Sequence, residues 1–434
     1  MTPEDGSTAL AVAPPPRITE SPAPLSRTSS RLLQLFPALA RARFRVFWLG
    51  MAPSMFAIQM GTVAIGFAAF DLTGSATVLG GVSLAQGVPM LLLSLVGGVV
   101  ADRTSRRLVL IGTQTMLGVS AASVAILAFT GHLAVWELYI LGIAQGTAFS
   151  FNMPARQAYI AELVGPAQLR SAVTLNNTTM NFARIAGPSV AGVVLGLPGL
   201  GVGGVFTAMA AMYSTVIASL VRLPDSDPRQ AGGVTGGWSQ LVDGLRYIRR
   251  TPTLFGLLML GFIPLFFGLP FQSLLPLFAE RVHRMGAPGL GMMGAAVGAG
   301  ALTGALAVAL FSRSRRLGQL QIGLGFAFGL SLIGFGLAPS FPIALALLVA
   351  VGLASAGYAA LNQTLLMEHT DSQFHGRVMS VFLLSYGTVP FATFPEAWLA
   401  DHIGGPAALA LAGAIVSLSV LLVIAFVPSF RRLE

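Results

Sequence analysis

Apolar runs of about 20 residues, separated by short polar connections, recur along almost the whole chain. A helix of that length rises about 30 Å, which matches the hydrocarbon core of a bilayer. Continuous runs favour helices over a β-barrel, whose strands would be short and alternating. The pattern predicts twelve transmembrane helices, over residues 46–70, 78–101, 108–129, 135–154, 172–197, 203–221, 254–278, 289–311, 320–337, 342–366, 378–399 and 407–427.

Composition supports an all-α membrane protein. The 434 residues are 54% hydrophobic and only 9% charged, with a mean hydropathy of +0.78. Arginines gather in alternate connections, whereas the remaining connections hold only Arg281 and Arg284. By the positive-inside rule, both termini are cytoplasmic and the chain is a multi-pass protein of the inner (cytoplasmic) membrane.

The longest connection divides the predicted spans into two six-helix bundles. Residues 1–43 form a disordered tail with a basic lead-in, 44–222 the first bundle, 253–428 the second and 429–434 a C-terminal tail. The linker, 223–252, begins with prolines and glycines. It ends in an amphipathic surface helix with Trp238, Leu241, Leu245 and Ile248 on one face.

Several classes of chemistry are excluded or unsupported. The chain has no cysteine, and its five histidines lack the spacing of a metal site. No Gly-Lys-Ser/Thr phosphate loop is present, so we expect no ATP hydrolysis, no enzyme and no cofactor. The net charge of +9 does not indicate nucleic-acid binding, because a basic folded soluble face is missing.

The second apolar run ends in a charged cluster: Gly98, Asp102, Arg103, Arg106 and Arg107. This spacing resembles the loop signature between spans two and three of the major facilitator superfamily, with Ser105 in place of the usual glycine. The resemblance implies that Gly98 allows close helix approach and that Asp102 lies near the start of span eleven. Glu162 would pair with the arginines, which completes a conformational latch. A basic loop that only sets topology explains the arginines but not Gly98 and Asp102.

Other stretches resemble the efflux branch of that superfamily, which includes enterobactin exporters. Gly187, Pro188 and Gly192 are similar to its glycine-proline motif in span five, which bends a closely packed helix. The resemblance implies export by alternating access, driven by proton entry. Further matching stretches are residues 44–50, 154–158, 244–250 and 376–380.

Two ionisable residues fall within predicted spans. Arg184 lies near the bilayer centre, where a charge costs about 2.5–3.5 kcal/mol, so it faces either a partner or a wet cavity. It is a structural pin or, with Asn177 and Asn181 on the same span, a site for an anionic substrate group or for coupling. Glu396 is either a proton-coupling carboxylate or a solvated acid at the outer boundary.

In the superfamily, spans one, four, seven and ten surround the substrate. The resemblance therefore implies a cavity lined by Gln59, Gln145, Phe267, Gln272, Tyr358 and Asn362. Such neutral walls suit a hydrophobic or amphiphilic molecule that is drug-like or siderophore-like. We predict a monomeric secondary active exporter in the lipid bilayer, with proton antiport. The alternative is a membrane sensor or scaffold that transports nothing.

Overall fold

A computed structural model describes residues 36–225, 237–311, 317–371 and 374–426. Within these ranges the chain is helical and has no β-strand. The helices are α1 (Ala42–Thr73), α2 (Ala76–Arg103), α3 (Arg106–Phe129), α4 (Val135–Val164), α5 (Leu169–Gly196), α6 (Gly201–Val221), α7 (Gly237–Arg250), α8 (Pro252–Gly268), α9 (Phe271–Leu277), α10 (Gly286–Phe311), α11 (Leu317–Gly336), α12 (Phe341–Glu368), α13 (His375–Tyr386), α14 (Val389–Ile403) and α15 (Gly405–Phe426).

Some predicted segments lie outside the described residues. These are the N-terminal tail up to residue 35, the start of the linker at 226–236, the arginine loop at 312–316 and the end of the chain from 427. The amphipathic helix of the linker is present as α7, although the side chains of Trp238 and Leu241 are not described. Ile248 of α7 is buried in a core that it shares with α8, α12 and α13.

Two predicted spans are interrupted. The segment expected at 254–278 is split into α8 and α9, because prolines at 264, 270 and 276 remove backbone donors and clash with the preceding turn. A π-helical turn, Phe278–Val282, extends it. The segment expected at 378–399 is split into α13 and α14 next to Gly387 and Pro390 for the same reason.

Nine helical segments of the described residues are long and apolar enough to cross a membrane, which establishes a multi-pass membrane protein. The predicted spans at α4, at α5 and at α13–α14 are not among these nine. Polar side chains lower the hydropathy of α4 and α5, and α13 and α14 have only 12 and 15 residues. The number twelve therefore remains an expectation.

Glycines bring two helix pairs together at backbone distance. In α2–α4, a Cβ on Gly97 would lie 2.1 Å from the Ser150 carbonyl oxygen. In α10–α12, a Cβ on Gly352 would lie 2.0 Å from the Val297 carbonyl oxygen. Only glycine permits these approaches, as is common between membrane helices. Equivalent contacts recur before and after the linker, in the manner of a structural repeat.

We expect Gly352→Val to destabilise the protein by about 1–3 kcal/mol or more, because the added side chain would force α10 and α12 apart. The measurement is thermal loss of the monodisperse peak of detergent-solubilised protein. Gly112→Val is the matched control, since no atom lies within 4 Å of a Cβ added at that helical glycine. Equal stability of the two variants would contradict this account of the packing.

Candidate functional site: a central cavity between helices

A cavity of about 350 Å³ lies at the centre of the helices. Its walls come from α1, α2, α4 and α5 on one side and from α8 to α13 on the other. Arg184 is the one charged side chain among the described residues that line it. The polar lining residues are Gln59, Thr62, Ser83, Gln86, Gln145, Arg184, Gln272, Ser273, Ser355, Tyr358 and Asn362.

Five of the six residues predicted to line a cavity do so: Gln59, Gln145, Gln272, Tyr358 and Asn362. The prediction for Phe267 was wrong. Its ring packs edge-to-face on Phe266 at 5.1 Å and against an apolar core. The helix period explains this, because the lining residues Gly261, Pro264 and Leu265 share one face of α8 and Phe267 lies about 200° from Leu265.

Two of these cavity residues also fasten the helices together. Tyr358 Oη donates a hydrogen bond to the Leu260 carbonyl oxygen at 2.6 Å, and Asn362 Nδ2 donates to the Leu257 carbonyl oxygen at 2.9 Å. Both bonds join α12 to α8 near its proline. A carbonyl freed by a helix break needs such a partner, because lipid offers none.

Arg184 and Arg156 illustrate two roles for a membrane arginine. Arg156 is buried, and its Nη2 donates to Asn176 Oδ1 at 2.6 Å. It was predicted to lie in a loop after span four, but α4 continues to Val164 and encloses it. Arg184 instead is exposed to the cavity, and its guanidinium has no hydrogen bond or ion pair with any described residue.

The remaining polar candidates of α5 do not line the cavity. Asn177 is exposed and lies outside its lining, and the side chain of Asn181 is not described. Gln86 and Ser83 do line it, although the sequence gave no reason to select α2. Their spacing of three residues places them on one helical face, which was the available signal.

The glycine-proline motif of α5 packs on α10. A Cβ on Gly192 would lie 2.3 Å from the Gly291 Cα atom, and one on Gly294 would lie 2.6 Å from the Pro188 Cβ atom. Gly187 packs on Gln59 in α1, where an added Cβ would lie 2.6 Å from the Gln59 Cβ atom. The motif therefore joins helices from both sides of the cavity.

Helix α2 packs on α14 along one half of its length and has no such contact towards its other end. A Cβ added at Gly80 would lie 2.8 Å from Ala397 Cβ, and one added at Gly87 would lie 2.4 Å from Pro390 Cβ. Gly98 lies about three turns beyond Gly87 on the same face, yet no atom lies within 4 Å of its added Cβ. The close contact expected at Gly98 is therefore absent in this structure, because α14 begins at Val389, level with Gly87, and the preceding helix α13 does not pack on Gly98.

The helices end on two faces of the molecule that differ in charge. The arginine-rich face is the end where α2 is followed by α3, with Arg103, Arg106 and Arg107. The opposite face is the end where α1 is followed by α2 and α14 by α15. The closed contacts of α2 with α14, and of α5 with α10, lie towards the opposite face.

On the opposite face, Asp401 at the end of α14 caps the start of α2. Its Oδ1 accepts the Ala76 backbone N–H at 3.0 Å. Its Oδ2 accepts the Thr77 backbone N–H at 2.8 Å and the hydroxyls of Ser75 and Thr77 at 2.6 and 2.7 Å. Four donors on one carboxylate at a helix N-terminus form a strong charge-assisted cap.

Arg281 provides a second contact on the opposite face. Its guanidinium donates to the Gly74 carbonyl oxygen and lies 5.1 Å from the centre of the Phe70 ring. Gly74 ends α1 with a φ of 65°, a left-handed conformation that favours glycine. A cation is favoured at this helix C-terminus, so the contact complements the Asp401 cap.

On the arginine-rich face, the contacts join helices that precede the linker. Arg106 Nη1 and Glu162 Oε2 form an ion pair at 2.7 Å, as expected. Arg107 donates to the carbonyl oxygens of Leu220 and Val221 at 2.9 and 2.7 Å. Among the described residues, Asp102 forms no hydrogen bond or ion pair, and it is only half-buried.

The linker helix α7 contacts the start of α13 on the arginine-rich face. Tyr247 stacks on Phe374 with 4.1 Å between ring centres, and its hydroxyl donates to Asp371 Oδ2 at 2.9 Å. Arg377 Nη1 lies 3.8 Å from Asp243 Oδ2. The linker helix is therefore fastened to the start of α13.

Glu396 is the remaining candidate. It lies on α14 outside the cavity lining, and its Oε1 is buried without a hydrogen-bond partner in the described part of the chain. This burial differs from that of an acid solvated at the membrane boundary.

Fold comparison identifies the class of protein. The structure superposes on the D-xylose–proton symporter with a TM-score of 0.69 and 16% sequence identity, over 89% of this chain and 98% of that one. This is the fold of major facilitator superfamily transporters, as the sequence resemblance implied.

Within that superfamily, the chain belongs to the transmembrane secretion effector family, whose model matches residues 34–432. It is 25% identical to macrolide efflux protein A of Streptococcus pyogenes, over 91% of this chain and 98% of that one. It is 27% identical to the multidrug efflux pump Tap of Mycolicibacterium fortuitum, over 86% and 92%. It is 26% identical to the enterobactin exporter EntS of Shigella boydii, over 80% and 83%. The predicted relationship to efflux proteins is confirmed, and relatives and fold indicate a transporter of small molecules rather than an enzyme.

We expect Asp401→Ala to open the opposite face, because the four donors at the start of α2 lose their acceptor. Spin labels at Leu200→Cys and Leu337→Cys report the opening as a longer distance. Both sites are exposed, and the chain has no other cysteine. Asp71→Ala is the control, since Asp71 is an exposed acid at the same end. An unchanged distance distribution in Asp401→Ala would show that the cap does not hold this face closed.

Proposed function

We propose that the protein is a secondary active exporter of hydrophobic or amphiphilic small molecules that works by alternating access. The proposal has a monomer of two six-helix bundles, 44–222 and 253–428, joined by the linker 223–252. The arginine-rich face, with both termini, would lie in the cytoplasm, because positively charged connections are retained on that side. The protein would then be a multi-pass component of the cytoplasmic membrane.

One observation carries the proposal of alternating access. The central cavity is lined by α2 on one side and by α13 on the other; α2 touches α14 towards the opposite face, whereas Gly98 of α2, towards the arginine-rich face, has no close neighbour. Such a shape suits a state that receives substrate from the cytoplasm. Rocking the two bundles about the cavity would close the cytoplasmic side and open the other.

We propose that two aspartates alternate as caps during this motion. Helices α2 and α14 run in opposite directions, and each ends in an aspartate: Asp102 for α2 and Asp401 for α14. Asp401 caps the start of α2 here. Asp102 would cap the start of α13 in the other state, near His375, while Arg106 and Glu162 keep its loop in position.

Direction and substrate are inferred from the relatives. Proteins named for the export of macrolides, several drugs and enterobactin align with most of this chain. The neutral amides and apolar residues of the cavity suit a similar hydrophobic or amphiphilic cargo.

Proton coupling would use Glu396. Of the sixteen acids in the sequence, it alone lies within a predicted span rather than at an end or in a connection. Its Oε1 is buried without a hydrogen-bond partner in the described part of the chain, so no fixed contact would prevent it from binding and releasing a proton as the bundles move.

We expect Asp102→Asn to reduce efflux at least tenfold without loss of folded protein, because the neutral amide is a weaker helix cap. The measurement is export of a panel of dyes, drugs and siderophores from proteoliposomes, with and without a pH gradient. Glu368→Gln is the control, since Glu368 is an exposed acid at the same face, at the end of α12 and away from the latch loop. Wild-type flux in Asp102→Asn would contradict the latch.

We expect Glu396→Gln to remove the acceleration of efflux by a pH gradient, because the amide cannot carry a proton. Flux of the best substrate is measured at several imposed gradients. The control is Glu368→Gln, an exposed acid at the end of α12. Retained gradient dependence in Glu396→Gln would exclude this residue as the coupling site.

The alternative is a sensor or scaffold that has the transporter fold. It predicts ligand binding with no flux in the same panel. An open cavity and helices that contact at only one end favour transport.

A further inference from the structure

The cavity contains an uncompensated positive charge. Arg184 lines it from α5, and the described residues that line it include no aspartate or glutamate. The acids of the described helices lie near the ends of the molecule, except Glu396, which is outside the lining. The described lining therefore carries a net positive charge near the middle of the membrane, where a charge must meet water or an oppositely charged partner.

Neutral amide side chains share one wall of the cavity with Arg184. Gly187, one turn along α5, packs on the Cβ of Gln59, so Gln59 and Arg184 share one wall. Gln145 lies on the same wall, since its Nε2 is 3.7 Å from where a Cβ on Gly61 would be. Their amides can donate further hydrogen bonds to an anion that the guanidinium attracts.

The facing wall is mainly apolar. Leu265, Phe328 and Phe382 line it, and the Tyr358 hydroxyl and Asn362 Nδ2 there already donate to backbone carbonyls. One wall thus offers a cation and free amides, and the other offers aromatic and aliphatic surface. A ligand that matches both carries an anionic group at one end and an apolar body at the other.

We propose that the cargo is an amphiphilic anion, a small molecule with a carboxylate, phenolate or similar group, and that Arg184 selects it. This inference rests on the proposed export function and adds the charge of the substrate to it. Arg184 is the specificity-determining residue, whereas Arg156, which is paired with Asn176, is structural.

Three dansyl probes with the same aromatic body test the charge preference. Dansylglycine is anionic, dansylglycinamide is neutral and dansylethylenediamine is cationic. Binding to the purified full-length protein is followed by dansyl fluorescence, and export of each probe is followed in proteoliposomes. We expect dansylglycine to bind at least ten times more tightly than either of the other two probes.

Variants assign that preference to the cavity. We expect Arg184→Gln to reduce it to less than twofold and Arg184→Lys to retain most of it, with both variants eluting as wild type in size exclusion. Arg170→Gln removes an exposed arginine outside the cavity and should keep the full preference. Loss of the preference in Arg170→Gln, or its persistence in Arg184→Gln, would overturn the role of Arg184.

The outcomes separate the two proposals. Export of neutral or cationic probes without preference for dansylglycine would overturn the anionic cargo and leave the exporter intact. Selective binding of dansylglycine without export of any probe would contradict the exporter and support the anion site. Failure of dansylglycine to bind while another probe binds would overturn the inference directly.

Discussion

The contact between α2 and α14 is the constraint on which the rest of the structure depends. These helices come from opposite sides of the linker, and the glycine-lined face of α2 meets α14 only towards the opposite face. Because the chain cannot leave backbone groups unpaired in lipid, each helix remains rigid and motion is confined to the surfaces between helices. The separation of α2 from α14 therefore determines which end of the central cavity is accessible.

Charged contacts at the ends of α2 add to this packing. The Asp401 carboxylate accepts four hydrogen bonds from the start of α2, while Asp102 at the other end of α2 has no partner among the described residues. A helix N-terminus attracts an anion over only about one turn. A shift of a few ångströms is therefore enough to release an aspartate from the helix that it caps. Paired caps of this kind favour two end states over intermediates.

Much of this arrangement could be predicted from sequence, but not all of it. Apolar runs and arginine placement indicated the helices, and the spacing of Glu162 after span four indicated its pair with Arg106. The breaks next to Pro270 and Pro390 were missed, because hydropathy does not register a lost backbone donor. Asp401 appeared to be an ordinary acid in a connection, since its partner lies 325 residues away in the chain at Ala76.

The cavity shows the same limit. Neutral residues such as Gln59 and Gln145 were found from the superfamily pattern, yet Phe267 was misplaced by one face of its helix. The sequence left two roles open for Arg184, a structural one and one in a cavity. Its surroundings in the described structure distinguish them, because Arg184 lines the cavity without an acidic partner there. The sequence alone could not distinguish it from Arg156, whose partner Asn176 lies on the next helix.

A reversible cross-link between α2 and α14 tests the central claim most directly. The Cβ positions of Gly80 and Ala397 would lie 2.8 Å apart, close enough for a disulfide after a small shift. In the double variant Gly80→Cys with Ala397→Cys, alternating access predicts that oxidation stops efflux but leaves substrate binding from the arginine-rich face intact. Reduction of the disulfide should then restore efflux. Undiminished efflux by the fully cross-linked protein would show that α2 and α14 need not separate, and would contradict the account.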